Sequence, residues 1–164
     1  MVNRRNLIVG GALLGLGACA TTKFRTYDGP SVTSIVVYKE RRRLYLMNND
    51  EILRDFEFEL GFAPVGHKQY EGDGRTPEGA YRINRRNPNS AFYLSIGISY
   101  PNNQDRAAAA ALGRPPGGDI FIHGTPRAAG GDDDWTAGCI AVTDREMEDI
   151  YSMVQDGTPI FIHP

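Results

Sequence analysis

The chain has 164 residues, with 18 basic and 20 acidic side chains, so its formal net charge is −2 at neutral pH. This balance excludes the class of proteins that bind nucleic acids through a strongly basic surface. The length beyond the leader described next suits one domain. There are two cysteines, Cys19 near the N-terminus and Cys139 in the last quarter of the chain.

Residues 1–18 have the layout of a secretory signal peptide, with Arg4 and Arg5 ahead of an apolar run over residues 7–16. That run is shorter than the ~20 residues that a membrane-spanning helix needs. Small residues then precede Cys19, as in a bacterial lipobox, which predicts a lipidated mature N-terminus. Two alternatives stay open: cleavage at the same point without lipidation, and export by the twin-arginine route.

We therefore expect an exported, periplasmic lipoprotein that is attached to the membrane through Cys19. Ala20 follows the cysteine, which favours the outer membrane where the envelope has two membranes. Residues 19–31 are mostly polar and show no periodicity, so they are interpreted as a tether that lets the domain stand away from the lipid.

Short apolar or alternating segments predict β-strands along most of the remaining chain. These strands are Ser34–Tyr38, Arg43–Met47, Glu51–Leu60, Gly79–Asn84, Phe92–Ser99, Asp119–His123 and Thr158–Ile162. In the third strand the candidate inward residues are Ile52, Phe56, Phe58 and Leu60.

Two helices are predicted, over Asn102–Leu112 and from Thr143 to about Val154. Thr143 and Glu146 have the spacing of a capping box, which marks the start of the second helix. Residues 32–164 therefore read as one mainly β domain, a sandwich or open barrel of mixed sheets with two short helices.

Cys139 is the candidate nucleophile, and His123 lies sixteen residues before it in the sequence. A thiol becomes reactive when a nearby base or dipole raises its thiolate fraction, and a histidine brought close by the fold is such a base. If Cys19 is lipidated, Cys139 has no partner for an internal disulfide. An activated thiol should titrate below the ordinary value of about 8.5. The alternative is a buried structural cysteine.

These segments resemble the signature motifs of the L,D-transpeptidases, the family with a YkuD-like catalytic domain. Ile122–Gly124 followed by Thr136–Cys139 is similar to the family's His-Gly and Ser-His-Gly-Cys motifs. Thr76–Tyr81 is similar to its Thr-Pro-x-Gly-x-Phe segment. The resemblance extends from Val32 to the end of the chain.

The resemblance implies an enzyme that cross-links peptidoglycan stem peptides. The thiolate of Cys139 would attack the bond between the third stem residue, a diamino acid, and a terminal D-Ala, forming a thioester that an amine resolves. His123 would be the general base, and the carbonyl of Gly124 would orient its ring. The backbone N–H groups of Gly138 and Cys139 would line the oxyanion hole.

Two positions depart from the family pattern. Ala137 replaces the usual histidine before Gly-Cys, and Ala141 replaces an arginine that often follows the cysteine. Arg75, Arg82 or Arg127 could then supply recognition of a substrate carboxylate.

The loop before the motif is also a candidate for substrate contact. Asp132–Asp134 is either a solvated flap or a lid, and Trp135 is either a core anchor or part of the substrate site. His67 is expected to be an exposed loop residue and His163 to be inert. The spacing of the histidines and Cys139 indicates no zinc site, and no cofactor is implied.

Other functions remain open at this stage. Water instead of an amine could resolve the thioester, which would make the protein a murein amidase or an L,D-carboxypeptidase. The domain could also be a non-catalytic lipoprotein that binds peptidoglycan.

Overall fold

The computed structural model describes residues 22–124 and 134–164. The signal sequence over residues 1–18, the lipidation site Cys19 and the candidate Arg127 lie outside the described residues. Within the described ranges, neither helix has the length and apolar character needed to cross a bilayer.

The described residues form eight strands and two helices. In chain order these are β1 Ser34–Tyr38, β2 Arg43–Asn48, β3 Glu51–Glu57, β4 Gly79–Asn87, β5 Ser95–Ile98, α1 Asn103–Ala111, β6 Phe121–His123, β7 Ile140–Ala141, α2 Asp144–Met153 and β8 Pro159–His163.

The strands form one mixed sheet in the order β3-β2-β1-β8-β4-β5-β6-β7. Two pairs are parallel, β1 with β8 and β6 with β7, and the other neighbours are antiparallel. Just after β3, Glu59 forms an antiparallel bridge to Ala141 of β7, so the two ends of the sheet approach each other. The predicted mainly β fold with two helices is confirmed as a curled half-barrel.

The core fills the inside of this curl. Alternate residues of the strands point inward, such as Ile35 and Val37 of β1, because successive side chains of a strand face opposite sides. Helix α2 begins at the capping box of Thr143 and Glu146 and buries Met147, Ile150 and Met153.

The prediction that Ile52 faces inward is wrong, because its side chain is 55 % exposed. The β2–β3 register shifts between Leu46 and Met47, so one extra residue enters β3 and the alternation reverses there. Leu53 packs against the core instead of Ile52, whereas Phe56 keeps its predicted inward position.

The segment before β1 lies along the domain. Lys23 donates to the carbonyl oxygen of Tyr93, and Arg25 forms ion pairs with Glu148 and Asp149 of α2. Residues 22–25 therefore contact both α2 and the loop that precedes β5.

Lys39 is a cation within the core region, with a side chain that is 3 % exposed. Its Nζ donates to the carbonyl oxygens of Gly66 at 2.6 Å and Thr76 at 3.2 Å, and to Oε1 of Glu78 at 2.7 Å. The lysine thus connects the end of β1 to the middle and the C-terminal end of the long loop that leads into β4.

We expect Lys39→Met to lower the free energy of unfolding by about 2–3 kcal/mol, because Glu78 and two carbonyls lose a buried charged donor. Arg43→Met is the matched control, since Arg43 pairs with Asp55 and Glu57 at the surface. An exposed pair contributes less than about 1 kcal/mol. Urea unfolding at pH 7 measures both, and equal losses would contradict the role of Lys39.

Candidate active site

The site is built where β6 ends and β7 begins. The two strands run parallel, with Ile122 opposite Ile140 and His123 opposite Ala141. Cys139 comes two residues before Ala141, so it lies on the same face of the pair as His123 and diagonally across from it. Both side chains line one pocket of about 330 Å³. The other lining residues are Asn87, Ser90, Ala91, Phe92, Ser95, Asp119 and Phe121.

The imidazole of His123 is buried and held on several sides. Nδ1 lies 2.6 Å from the carbonyl oxygen of Gly124, so Nδ1 carries the proton and donates it there. The ring stacks on Phe92 at a centroid distance of 4.6 Å and meets the edge of Trp135 at 5.7 Å. Because Nδ1 is the donor, Nε2 is the atom that can accept a proton.

Burial lowers the pKa of His123, because a charged imidazolium loses solvation in this pocket. The hydrogen bond to Gly124 acts in the opposite direction but does not outweigh burial. At neutral pH the imidazole is therefore neutral, which is the protonation state that a general base requires.

The thiol of Cys139 lies against the chain that leads into β6. Sγ donates to the carbonyl oxygen of Asp119 at 3.5 Å. Burial raises the pKa of the Cys139 thiol, while the backbone N–H of Phe121 and the charge of Lys68 act to lower it. The sequence predicts a lowered thiol pKa, and the structure gives the opposite direction because loss of solvation is the larger effect.

The pocket thus holds a neutral thiol and a neutral imidazole. In this arrangement the thiol is not ionised in advance, and Nε2 of His123 can take its proton as the sulfur attacks an electrophile. The chemistry that this pair can perform is nucleophilic acyl transfer.

The turn that carries the thiol depends on Gly138. Its φ of +128° lies in a region that favours glycine, and a Cβ there would be 2.6 Å from the carbonyl oxygen of Arg75. The hydroxyl groups of two threonines hold the turn through hydrogen bonds to its carbonyl oxygens. Oγ1 of Thr76 donates to the carbonyl oxygen of Gly138 at 2.9 Å, and Oγ1 of Thr136 donates to that of Cys139 at 2.8 Å.

The two backbone donors expected in the oxyanion hole differ in this structure. The N–H of Gly138 donates to Oγ1 of Thr136 at 3.2 Å, so it has an internal partner. The hydrogen bonds within residues 22–124 and 134–164 include none from the N–H of Cys139. The Cys139 N–H is therefore the donor available to a substrate oxygen.

Of the predicted arginines, Arg75 and Arg82 do not line the pocket. Arg75 contributes its backbone behind Gly138, and Arg82 donates to the carbonyl oxygen of Gly157 at 2.9 Å, beside β8. Arg85 lies beside the pocket wall, because its guanidinium carbon is 4.4 Å from the ring centroid of Phe121, which lines the pocket. Sequence reasoning missed Arg85 because it ended this strand at Asn84. Residues 85–87 are all polar, so no alternation of apolar and polar residues marked the continuation of this strand.

Trp135 lies beside His123. Its ring contacts His123 and Phe92, and its indole N–H donates to the carboxylate of Glu59. The indole therefore connects the imidazole to the segment after β3, and it does not line the pocket that holds the thiol.

Asp134, the described end of the acidic loop, is fixed to the segments around β2 and after β3. Asp134 forms an ion pair with Arg42 and accepts from the N–H of Leu60 at 2.9 Å. The hydrogen bond from Arg42 lowers the pKa of this carboxyl group. Asp132 and Asp133 lie outside the described residues.

The other two histidines lie away from the thiol. His67 is half-buried, not exposed as the sequence predicts. Its Nδ1 accepts from the N–H of Glu78 at 2.9 Å, and its Nε2 is 3.2 Å from Asp105. His163 stacks on Tyr38. Over the described ranges, no three His, Cys, Asp or Glu side chains are grouped so that they could hold a metal ion.

Residues 32–162 match the YkuD family, the L,D-transpeptidase catalytic domain. The chain belongs to this family. The match includes every residue of the pocket described above.

One relative is YafK of Escherichia coli (strain K12), whose name marks its L,D-transpeptidase activity as provisional. It is 29% identical over 161 residues, covering 93% of this chain and 60% of YafK. The chain thus spans less than two thirds of the length of this relative.

Solved structures share the fold. The helical cell shape determining protein Pgp2 of Campylobacter jejuni, solved as a point mutant, is 29% identical with a TM-score of 0.62. That alignment covers 84% of this chain and 48% of Pgp2. An L,D-transpeptidase from Mycobacterium smegmatis is 14% identical with a TM-score of 0.56, covering 82% of this chain and 59% of that one.

We expect the pKa of His123 to lie below its ordinary value and the pKa of Cys139 to lie above its ordinary value. His123 should ionise below about 6.5 and the Cys139 thiol above about 8.5, since burial opposes charge on each. NMR of the imidazole and the pH dependence of iodoacetamide alkylation measure these values. Acylation of Cys139 should fall as pH drops through the lowered histidine pKa.

Phe92→Ala is the matched variant, because it exposes one face of the imidazole. It should move the pKa of His123 back up toward about 6.5. A wild-type imidazole that titrates above that value, or a thiol that ionises below about 8.5, would contradict the neutral pair.

Thr76→Val should lower the free energy of unfolding of the domain and slow the acylation of Cys139. Thr76 is fully buried, and valine leaves the carbonyl of Gly138 without its donor, at a cost of about 1–3 kcal/mol. Thr76→Ser keeps the hydroxyl and serves as control. Urea unfolding and the burst of p-nitrophenol from p-nitrophenyl acetate report the two effects. A serine variant as impaired as the valine variant would assign the role to the methyl group.

Proposed function

We propose that this domain is a cysteine-dependent acyl transferase on peptidoglycan stem peptides, an L,D-transpeptidase. The observation that carries the proposal is the placement of Cys139 and His123 in one pocket, with Nδ1 of the imidazole bonded to the carbonyl oxygen of Gly124. Membership of the L,D-transpeptidase family supports the substrate class.

In the first half-reaction, Sγ of Cys139 attacks the carbonyl carbon of the donor peptide while Nε2 of His123 takes the thiol proton. The N–H of Cys139 donates to the oxygen that becomes negative. The bond to the terminal D-residue then breaks, and the imidazolium gives its proton to the leaving amine. A thioester on Cys139 remains.

In the second half-reaction, the amine of another stem attacks the thioester. His123 accepts a proton from that amine and gives it to the departing sulfur, which leaves as the thiol, so the enzyme returns to its starting state. The product is a cross-link between two stems. The role of Pgp2 in cell shape supports a function in the cell wall.

We also propose that the protein is exported and held at the periplasmic side of the outer membrane by lipid on Cys19. The charged, apolar and small-residue order of residues 1–18 supports export, and Ala20 supports the outer membrane.

Incubation of the purified chain with disaccharide-tetrapeptides should give cross-linked dimers and a Cys139 adduct that mass spectrometry detects. Cys139→Ala should abolish both. His123→Ala should slow acylation by roughly 100-fold or more. His163→Ala is the matched control, because that histidine is exposed and lies away from the thiol.

Dimers that persist with Cys139→Ala would overturn the proposal. Free acids without any dimers would replace the transferase with a hydrolase that uses the same thioester. Absence of an adduct from wild-type protein would favour a binding module.

A further inference from the structure

A row of four residues crosses the sheet and ends at the thiol. Arg85 of β4 is registered with Gly97 of β5, and Gly97 is registered with Phe121 of β6. The backbone N–H of Phe121 faces Sγ of Cys139. Because registered residues of neighbouring strands project on the same side of the sheet, Arg85 is on the face that carries the reactive sulfur.

Gly97 allows the arginine to reach across. A Cβ at this position would be 2.6 Å from Cγ and 2.8 Å from Nε of Arg85. The side chain therefore lies over the glycine and brings its guanidinium carbon 4.4 Å from the ring centroid of Phe121. Stacking on an aromatic ring holds a guanidinium in place, and arginine keeps its charge at any working pH.

The present partner of Arg85 is weakly held. Nη2 is 2.7 Å from Oδ1 of Asp119, whose side chain is 86% exposed. An ion pair in water contributes little, so a second carboxylate can replace this one. The backbone of the same aspartate accepts the hydrogen bond of the Cys139 thiol, which places the pair at the wall of the pocket.

We propose that Arg85 binds a carboxylate of the acyl donor and so aligns the scissile carbonyl with Cys139. The inference rests on the proposed function, whose donor peptide carries a carboxylate on the leaving D-residue and can carry another on the diamino acid. A guanidinium binds either with two parallel hydrogen bonds. Arg85 is thus a specificity-determining residue, distinct from the groups that transfer protons.

The first test needs no peptide substrate. Alkylation of Cys139 in the full chain is measured with iodoacetate and with iodoacetamide, and the Cys139 peptide is quantified by mass spectrometry. Arg85→Gln should lower the ratio of the iodoacetate rate to the iodoacetamide rate by about five- to tenfold, because iodoacetate loses a charge-assisted contact to its carboxylate. The iodoacetamide rate should not change.

Arg43→Gln is the matched control, with similar exposure and two acidic partners at the other end of the sheet. Arg85→Lys keeps the charge but not the planar fork, so it should recover part of the ratio. An unchanged ratio in Arg85→Gln, or an equal fall in Arg43→Gln, would overturn the proposal.

The second test identifies the carboxylate. Donor peptides are paired as terminal acid and amide, and as a diamino acid with and without its side-chain carboxylate. Arg85→Gln should lower kcat/KM about tenfold for the peptide with the recognised group and leave its paired analogue unchanged. Equal losses for all four peptides would overturn the proposal.

The two tests separate failure of the inference from failure of the proposed function. If wild-type protein turns over none of the peptides, the transferase assignment fails. The alkylation ratio then still decides whether Arg85 binds a carboxylate beside Cys139.

Discussion

The parallel pairing of β6 and β7 is the contact on which the site depends. β7 has two residues, so the pair alone is a weak ladder. It is supported from its other edge, where Glu59 bridges Ala141, and from below, where Thr76 and Thr136 hold the turn around Gly138. The curl of the sheet therefore has a chemical consequence, because it brings the segment after β3 against the strand that presents the thiol.

Burial governs the chemistry of the site. The same loss of solvation that raises the pKa of Cys139 lowers that of His123, so both groups are neutral before a substrate arrives. Phe92 and Trp135 enclose the imidazole, and the carbonyl of Gly124 selects which nitrogen keeps the proton. In the proposed function, the thiol proton would therefore pass to the imidazole as the sulfur attacks, without a thiolate formed in advance.

The two cations Lys39 and Arg85 differ in their surroundings. Lys39, inside the domain, is surrounded by fixed acceptors and serves the fold. Arg85 has one exposed partner and an aromatic ring beneath it. A cation held in position but paired only in water keeps the capacity to bind another anion, which is the physical basis for assigning it to the substrate.

The sequence by itself determined the local features: the strands that alternate, the capping box at Thr143 and the mainly β class. These depend on neighbours along the chain, and motif resemblance extended them to the pairing of Cys139 with His123. The bulge that turns Ile52 outward, the two-residue β7, the direction of the thiol pKa and the position of Arg85 were decided by the tertiary structure. Each depends on register or burial, which are set by residues far apart in the chain and leave no local pattern to read.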